Sequence, residues 1–378
     1  MDRRSFVKAA GVAGIAGLAG CTGGPSEGSE ETTTAEQTTE GSGGEETTTS
    51  EQTTEESGPA ANVGMVYALG GLGDKSFNDA AKRGIEQAES ELGIAYDEAQ
   101  PSAAEEFPQF QRRFAQSSNP DYDLVSCIGY AQRSALSETA PSFSDQQFMI
   151  VDDVVDEDNV ASYLFREEQG SFQVGYLAGL ITTQEFSAGS GSTTADSKSV
   201  GFVGGTETDL IRKFQAGYEA GVAHADEEIS VDVAYVGSFS DSAKGKEIAT
   251  SMYDNGADVV YHAAGGSGLG VFQAAKEQGK FAIGVDSDQS QTEPNYADVI
   301  LASMVKRVES AVYTSVENVV NDEFNGGSTT TLGLEEDGVA AVYGAELGSE
   351  IPQDVKDSLS ESREAIIAGD IEIPTTTE

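Results

Sequence analysis

Tryptophan is absent from the 378 residues, histidine and cysteine occur twice each, and 21 basic residues face 65 acidic ones. Each scarcity excludes something. A net charge of −44 rules out phosphate-backbone binding as a main activity, because that needs a basic surface. The acid is spread through the whole chain, which a single solvated tail would not explain. A surface adapted to strong salt, where self-repulsion is screened, explains it better and points to a halophilic protein facing brine. His224 reads as helical and His262 as a strand end. Neither is paired with a plausible nucleophile or grouped with metal ligands, so catalytic and metal readings start weak. Beyond the first residues no run is long and apolar enough to cross a bilayer.

The N-terminus carries two signals in order. "DRRSFVK" (2–8) has twin arginines, "AAGVAGIAGLAG" (9–20) is weakly apolar and too short to span, and "LAGC" ends at Cys21. Residues 1–21 therefore read as a twin-arginine export signal with a lipobox, and Cys21 as the lipidated mature N-terminus. Cys127, in "DLVSCIGY", is then left without a partner and reads as a small core residue. Residues 22–59 hold ten glutamates, no lysine or arginine, and mostly Thr, Ser, Gly and Gln. Such a tract does not bury enough surface to offset its ordering entropy. It reads as a disordered tether with an r.m.s. span of roughly 35 Å.

Residues 60–378 alternate strand and helix. Strands are expected at 62–68, 124–128, 147–151, 199–203, 231–236, 258–262, 281–285, 299–303 and 338–343. Helices are expected at 77–92, 104–117, 131–139, 168–184, 208–223, 242–255, 269–278, 304–322 and 352–368. The alternation predicts an α/β fold with parallel sheets covered on both faces. "VGMVYALGG" and "VGFVGGTET" each lead into a helix, a weak internal repeat that fits two similar lobes with a cleft between them. Ligands in such sheets sit beyond the carboxyl ends of the strands.

Within "LGGLGDKSFND" (69–79) Phe77 would be the first helical residue, with Ser76 and Asp79 resembling a capping box. An aromatic there either packs under a neighbouring loop or meets a ligand. Lys306 is expected in the first turn of the 304–322 helix, where a cation opposes the macrodipole. That suggests a site, with a lysine reaching out to water as the plainer reading. Asp286 and Asp288 end a strand; a carboxylate suits a vicinal diol, while turn caps are the bland alternative and a Mg or Ca site the weakest. "GGSGLG" (265–270) matches a dinucleotide fingerprint poorly and reads as a tight turn before a helix.

Taken in order, "GLGDKSFND" (71–79), "VASYLFREEQGSFQVGYLAG" (160–179), "VGFVGG" with "FQAGYEAGV" (200–222), "YVGSFSDSAKGKE" (235–247), "HAAGGSGLGVFQAAKEQGKFAIGVDSDQ" (262–289) and "ILASMVKRVESAV" (300–312) resemble the basic membrane protein family of lipoproteins. These are substrate-binding proteins of nucleoside ABC transporters with the type I periplasmic-binding-protein fold. The resemblance implies two Rossmann-like lobes, 60–163 plus about 300–328 and 164–299 plus about 329–378, with a ligand cleft at the hinge. It implies a nucleoside held between Phe77 and Phe239, with Phe214 the alternative second ring. Asp286 and Lys306 would hold the ribose and Gly266 would admit the backbone. Asp74 and Asn78 of the same first motif are counted as ligand-binding. The family's aspartate nine residues before the stacking phenylalanine is replaced here by Ala68, so base reading would be loose or would fall to Tyr67 or Tyr130. The implied partners are a nucleoside, favoured as a purine nucleoside, an ABC permease with its ATPase, and a membrane reached through lipid. A monomer without cofactor, metal or enzymatic activity is expected. Alternatives are a binder of a sugar or amino acid, a nucleoside hydrolase using Asp286, and a surface sensor.

Overall fold

The computed structural model describes residues 58–194 and 197–377. The expected signal, Cys21 and the tether through residue 57 lie outside them.

Lobe one is built on β1 (Asn62–Val66), β2 (Ala95–Ala99), β3 (Leu124–Cys127), β4 (Gln147–Val151) and β5 (Val160–Phe165). Helices α1 (Phe77–Leu92), α2 (Phe107–Ala115) and α3 (Arg133–Thr139) cover it. β3 and β4 are buried along almost their whole length, as a parallel sheet covered on both faces requires. In α1, Ala81, Ile85 and Ala88 repeat every three to four residues and face the core. Gly93 ends α1 in the left-handed conformation, its N–H reaching Glu89 O.

Lobe two begins with α4 (Glu167–Thr182) and a short hairpin of β6 (Ser187–Ala188) and β7 (Gly191–Ser192). It continues through β8 (Ser199–Gly204), α5 (Asp209–Ala225), β9 (Ser230–Tyr235), α6 (Ser242–Asp254), β10 (Val259–Ala263), α7 (Leu269–Gln278), β11 (Phe281–Asp286), α8 (Gln289–Thr292) and β12 (Ile300–Lys306). The chain returns to lobe one for α9 (Val308–Val320), which packs on α1, and for β13 (Thr329–Leu332). It finishes in lobe two with β14 (Val339–Tyr343) and α10 (Gln353–Ala368).

The sheet orders are β13-β5-β4-β3-β1-β2 and β14-β12-β11-β10-β8-β9. All pairings in these two sheets are parallel except β12 with β14. The run β4-β3-β1-β2 is repeated as β11-β10-β8-β9, so the weak sequence repeat is a repeat of topology. Among the described residues the chain crosses between lobes after Phe165, after Lys306 and after Leu332.

Three expectations are corrected. The segment 300–306 pairs with β11 and belongs to lobe two, whereas 329–332 pairs with β5 and belongs to lobe one. The 304–322 helix starts only at Val308, because β12 runs on to Lys306. Strands β2, β5, β6, β7 and β13 lie outside the expected strands; β2 and β13 are edge strands, mostly half-buried or exposed, without apolar alternation.

Candidate functional site

Where the carboxyl ends of the two sheets face each other, a cleft encloses about 840 Å³ of empty space including its mouth. Lobe one supplies Ala68, Asp74, Phe77, Asn78, Tyr130 and Asp152; lobe two supplies Thr206, Phe214, Phe239, Gly265, Asp286 and Lys306. In lobe one the strands leading to Phe77 and Tyr130 are β1 and β3, between which the strand order reverses.

The first turn of α1 is capped by Asp74, not by Ser76. Asp74 accepts from the backbone N–H of Ser76 (3.0 Å), Asn78 (2.9 Å) and Asp79 (3.1 Å). The Ser76 hydroxyl instead crosses to the other lobe and donates to Asp286 Oδ2. Asp79 turns back to accept from Gly73 N and Lys75 N. Asn78 is committed as well: its Oδ1 accepts from Ala68 N at 2.9 Å and its Nδ2 donates to Gly71 O at 3.1 Å. The motif therefore fixes the turn that presents Phe77, whose half-buried ring is open to the cleft.

Lys306 ends β12 and is 1% exposed. It is a buried strand end, not a helix-start cation, so the macrodipole argument does not apply to it. Its Nζ lies 2.6 Å from Asp152 Oδ1 and 3.0 Å from Glu167 Oε1. The rings of Phe77, Phe165 and Phe214 surround it with centroids 5.1, 5.1 and 5.6 Å away, distances at which a desolvated ammonium is attracted to the ring faces. Burial works against its charge, but Asp152, Glu167 and Asp286 outweigh that and hold its pKa above the ordinary lysine value. Glu167 is shared with Lys213 (2.8 Å), which also meets Glu168 (3.2 Å) and the carbonyl of Phe165 (2.6 Å). Burial opposes ionisation of Glu167, yet the two lysines keep its pKa below the usual range. Close approach of α4 and α5 supports this chain of charges: a Cβ at Gly217 would collide with the backbone of Glu168.

Asp286 ends β11 in a left-handed conformation (φ 62°), as Asp152 does after β4 (φ 72°). Non-glycine residues rarely adopt this conformation, and it concentrates at sites. Burial, against the pull of Lys306, raises Asp286 to about 7. Asp288 takes the bland role, capping α8 through Ser290 N. Among the described residues no group of three or more His, Cys, Asp or Glu could hold a metal ion.

Of the expected ligand-binding residues, Asp74, Phe77, Asn78, Tyr130, Phe239, Asp286 and Lys306 line the cleft. Tyr67 does not: it is fully buried and its hydroxyl donates to Glu98 at 2.6 Å. Gly266 is displaced by its neighbour Gly265; a Cβ at Gly266 would abut Phe239 O, so it backs the ring's loop. Phe214 is a buried wall beside Lys306, whereas Phe239 is half-buried, its ring lying against Gly205. Sequence reasoning missed Asp152, Glu167 and Thr206. For Glu167 a signal existed: two acids opening a helix in "REEQGSF", beside a buried lysine's strand, ask for a partner. Cys127 is a free, fully buried core thiol.

Two facing α/β lobes with a cleft at their carboxyl ends define a two-lobed solute-binding protein. The chain belongs to the Bmp family, described as ABC transporter substrate-binding protein PnrA-like, whose model matches residues 61–377. It is 35% identical over 330 residues to a CD4+ T-cell-stimulating antigen of Listeria monocytogenes, covering 82% of this chain and 87% of that protein. It is 32% identical over 325 residues to the ABC transporter nucleoside-binding protein BmpA of Lactococcus lactis, covering 81% and 86%. A solved ABC transporter solute-binding protein from Aeropyrum pernix K1 superposes with a TM-score of 0.73 at 27% identity, over 84% of this chain and 94% of that one.

Proposed function

We propose that this protein captures a nucleoside between its lobes and delivers it to an ABC importer, without chemical change. The observation that carries the reading is the placement of Phe77, Phe239, Asp286 and Lys306 around one cleft. Two rings offer flat apolar faces to a base. Beside them Asp286 can accept from a vicinal diol, and Lys306 can donate to ring or hydroxyl oxygens without leaving its carboxylates. Purine nucleosides are favoured. The name of the Lactococcus lactis relative supports the ligand class. Closing the lobes would bury the ligand, and a cognate permease and ATPase would do the transport.

We further propose that Cys21 anchors the protein by lipid on the outer face of the membrane after twin-arginine export. The tether would hold a monomeric binding domain, adapted to salt, away from the surface. No described helix is long and apolar enough to cross a membrane. A thermal-shift panel of nucleosides, sugars and amino acids in molar salt tests the ligand class. Stabilisation by sugars or amino acids alone would replace it, and release of free base on long incubation would favour hydrolysis.

A further inference from the structure

We infer that Thr206, paired with Tyr130 across the cleft, reads the edge of the base, and that the site therefore accepts more than one nucleobase. The inference rests on the nucleoside reading above and deepens it.

Among the described cleft-lining residues, the polar side chains divide by commitment. Asp74 and Asn78 are spent on the α1 turn. Asp286 binds Ser76, and Lys306 is held by Asp152 and Glu167. Tyr130 and Thr206 remain. Their hydroxyls lie 3.4 Å apart, one from each lobe, and either could be the donor. At that length the bond is weak, so a ligand group can replace it at little loss.

Their position suits the far end of a nucleoside. Thr206 follows β8, and β8 lies two strands from β11, which ends in Asp286. At about 4.8 Å per strand that is about 10 Å, close to the length of a nucleoside from ribose to outer base edge. Beside them in the cleft lie the apolar Ala131 and Leu210 and, from the turn after β1, Ala68 and Leu69. Ala68 offers no acceptor, so no fixed carboxylate demands a base N–H.

A hydroxyl both donates and accepts. Two rotatable hydroxyls can meet the keto edge of inosine or the amino edge of adenosine by reversing their protons. A base end that presents only rotatable hydroxyls leaves no fixed donor or acceptor unpaired with the wrong base, and unpaired groups are what give strong rejection.

The test is calorimetric titration of the parent, Thr206→Val, Thr206→Ser and Tyr130→Phe with inosine and adenosine in molar salt. The parent should bind both within about tenfold of each other. Thr206→Val, the same shape without the hydroxyl, should weaken both by about fivefold, as should Tyr130→Phe, and Thr206→Ser should restore parent affinity. Unchanged binding of both ligands by Thr206→Val overturns the inference, as does a parent preference above about a hundredfold. A parent that binds neither nucleoside defeats the nucleoside reading itself, a different result from a parent that binds both while its variants are unaffected.

Discussion

Lys306 Nζ sits 2.6 Å from Asp152 Oδ1 with both side chains almost fully enclosed, and the contact joins a lobe-two strand to a lobe-one loop. It lies beside the crossover that follows Lys306, so the group proposed to hold the ligand is also part of the hinge. A buried pair of this kind adds little net stability, but removing one partner strands the other. Lys306→Met should lower the free energy of unfolding by about 3–5 kcal/mol, read from urea midpoints. Lys306→Met with Asp152→Asn should recover part of it. A single variant within about 0.5 kcal/mol of the parent would mean that water, not Lys306, satisfies the two carboxylates.

Much of this arrangement was legible in the sequence, but unevenly. The buried strands and the amphipathic helix starting at Phe77 announce themselves by periodicity, and the motifs place Phe77, Asp286 and Lys306. Local pattern misleads at Lys306, because "ILASMVKRVES" gives no mark where strand yields to crossover. It misleads again at Ser76 and Asp79, where spacing fits a capping box but Asp74, two residues earlier, takes the N–H groups. Tyr67 and Tyr130 look alike as strand-end tyrosines. Only the pairing of Tyr67 with Glu98 on the neighbouring strand separates them. Asp152 and Thr206 belong to partnerships between lobes, which no local spacing encodes.

The charge state of Asp286 gives binding a pH dependence. Its pKa is raised by burial to about 7, so the folded protein keeps a proton that the unfolded chain gives up. The stability from this group is full below the unfolded carboxylate value and is lost as pH rises through about 7. Binding of the proposed nucleoside should run the opposite way, because the ionised carboxylate would accept from both ribose hydroxyls. Affinity should rise from about pH 6 to about pH 8, with proton release visible as a buffer-dependent binding enthalpy. Asp286→Asn should bind weakly with a flat profile. An identical pH profile in that variant would assign the titration to another group.

Net charge of −44 should make the fold depend on screening. Circular-dichroism melts should be cooperative in molar salt and broaden, with a lower midpoint, as salt is removed. Melts of equal midpoint and cooperativity in both conditions would show that the acidic surface does not strain the compact state.

Cys21→Ser should leave a protein that is exported and found in the medium. If that variant stays in the membrane fraction, something other than lipid at Cys21 holds the chain there.

The most direct measurement is the titration of the parent and of Phe77→Ala with inosine, adenosine, guanosine and uridine, alongside ribose and an amino acid, by calorimetry in molar salt. The expected result is binding of at least the purine nucleosides, no heat from ribose or the amino acid, and a loss of about 1–3 kcal/mol of binding free energy in Phe77→Ala. Nucleosides that give no heat with the folded parent, or that bind Phe77→Ala as tightly as the parent, would contradict capture of a stacked base in this cleft.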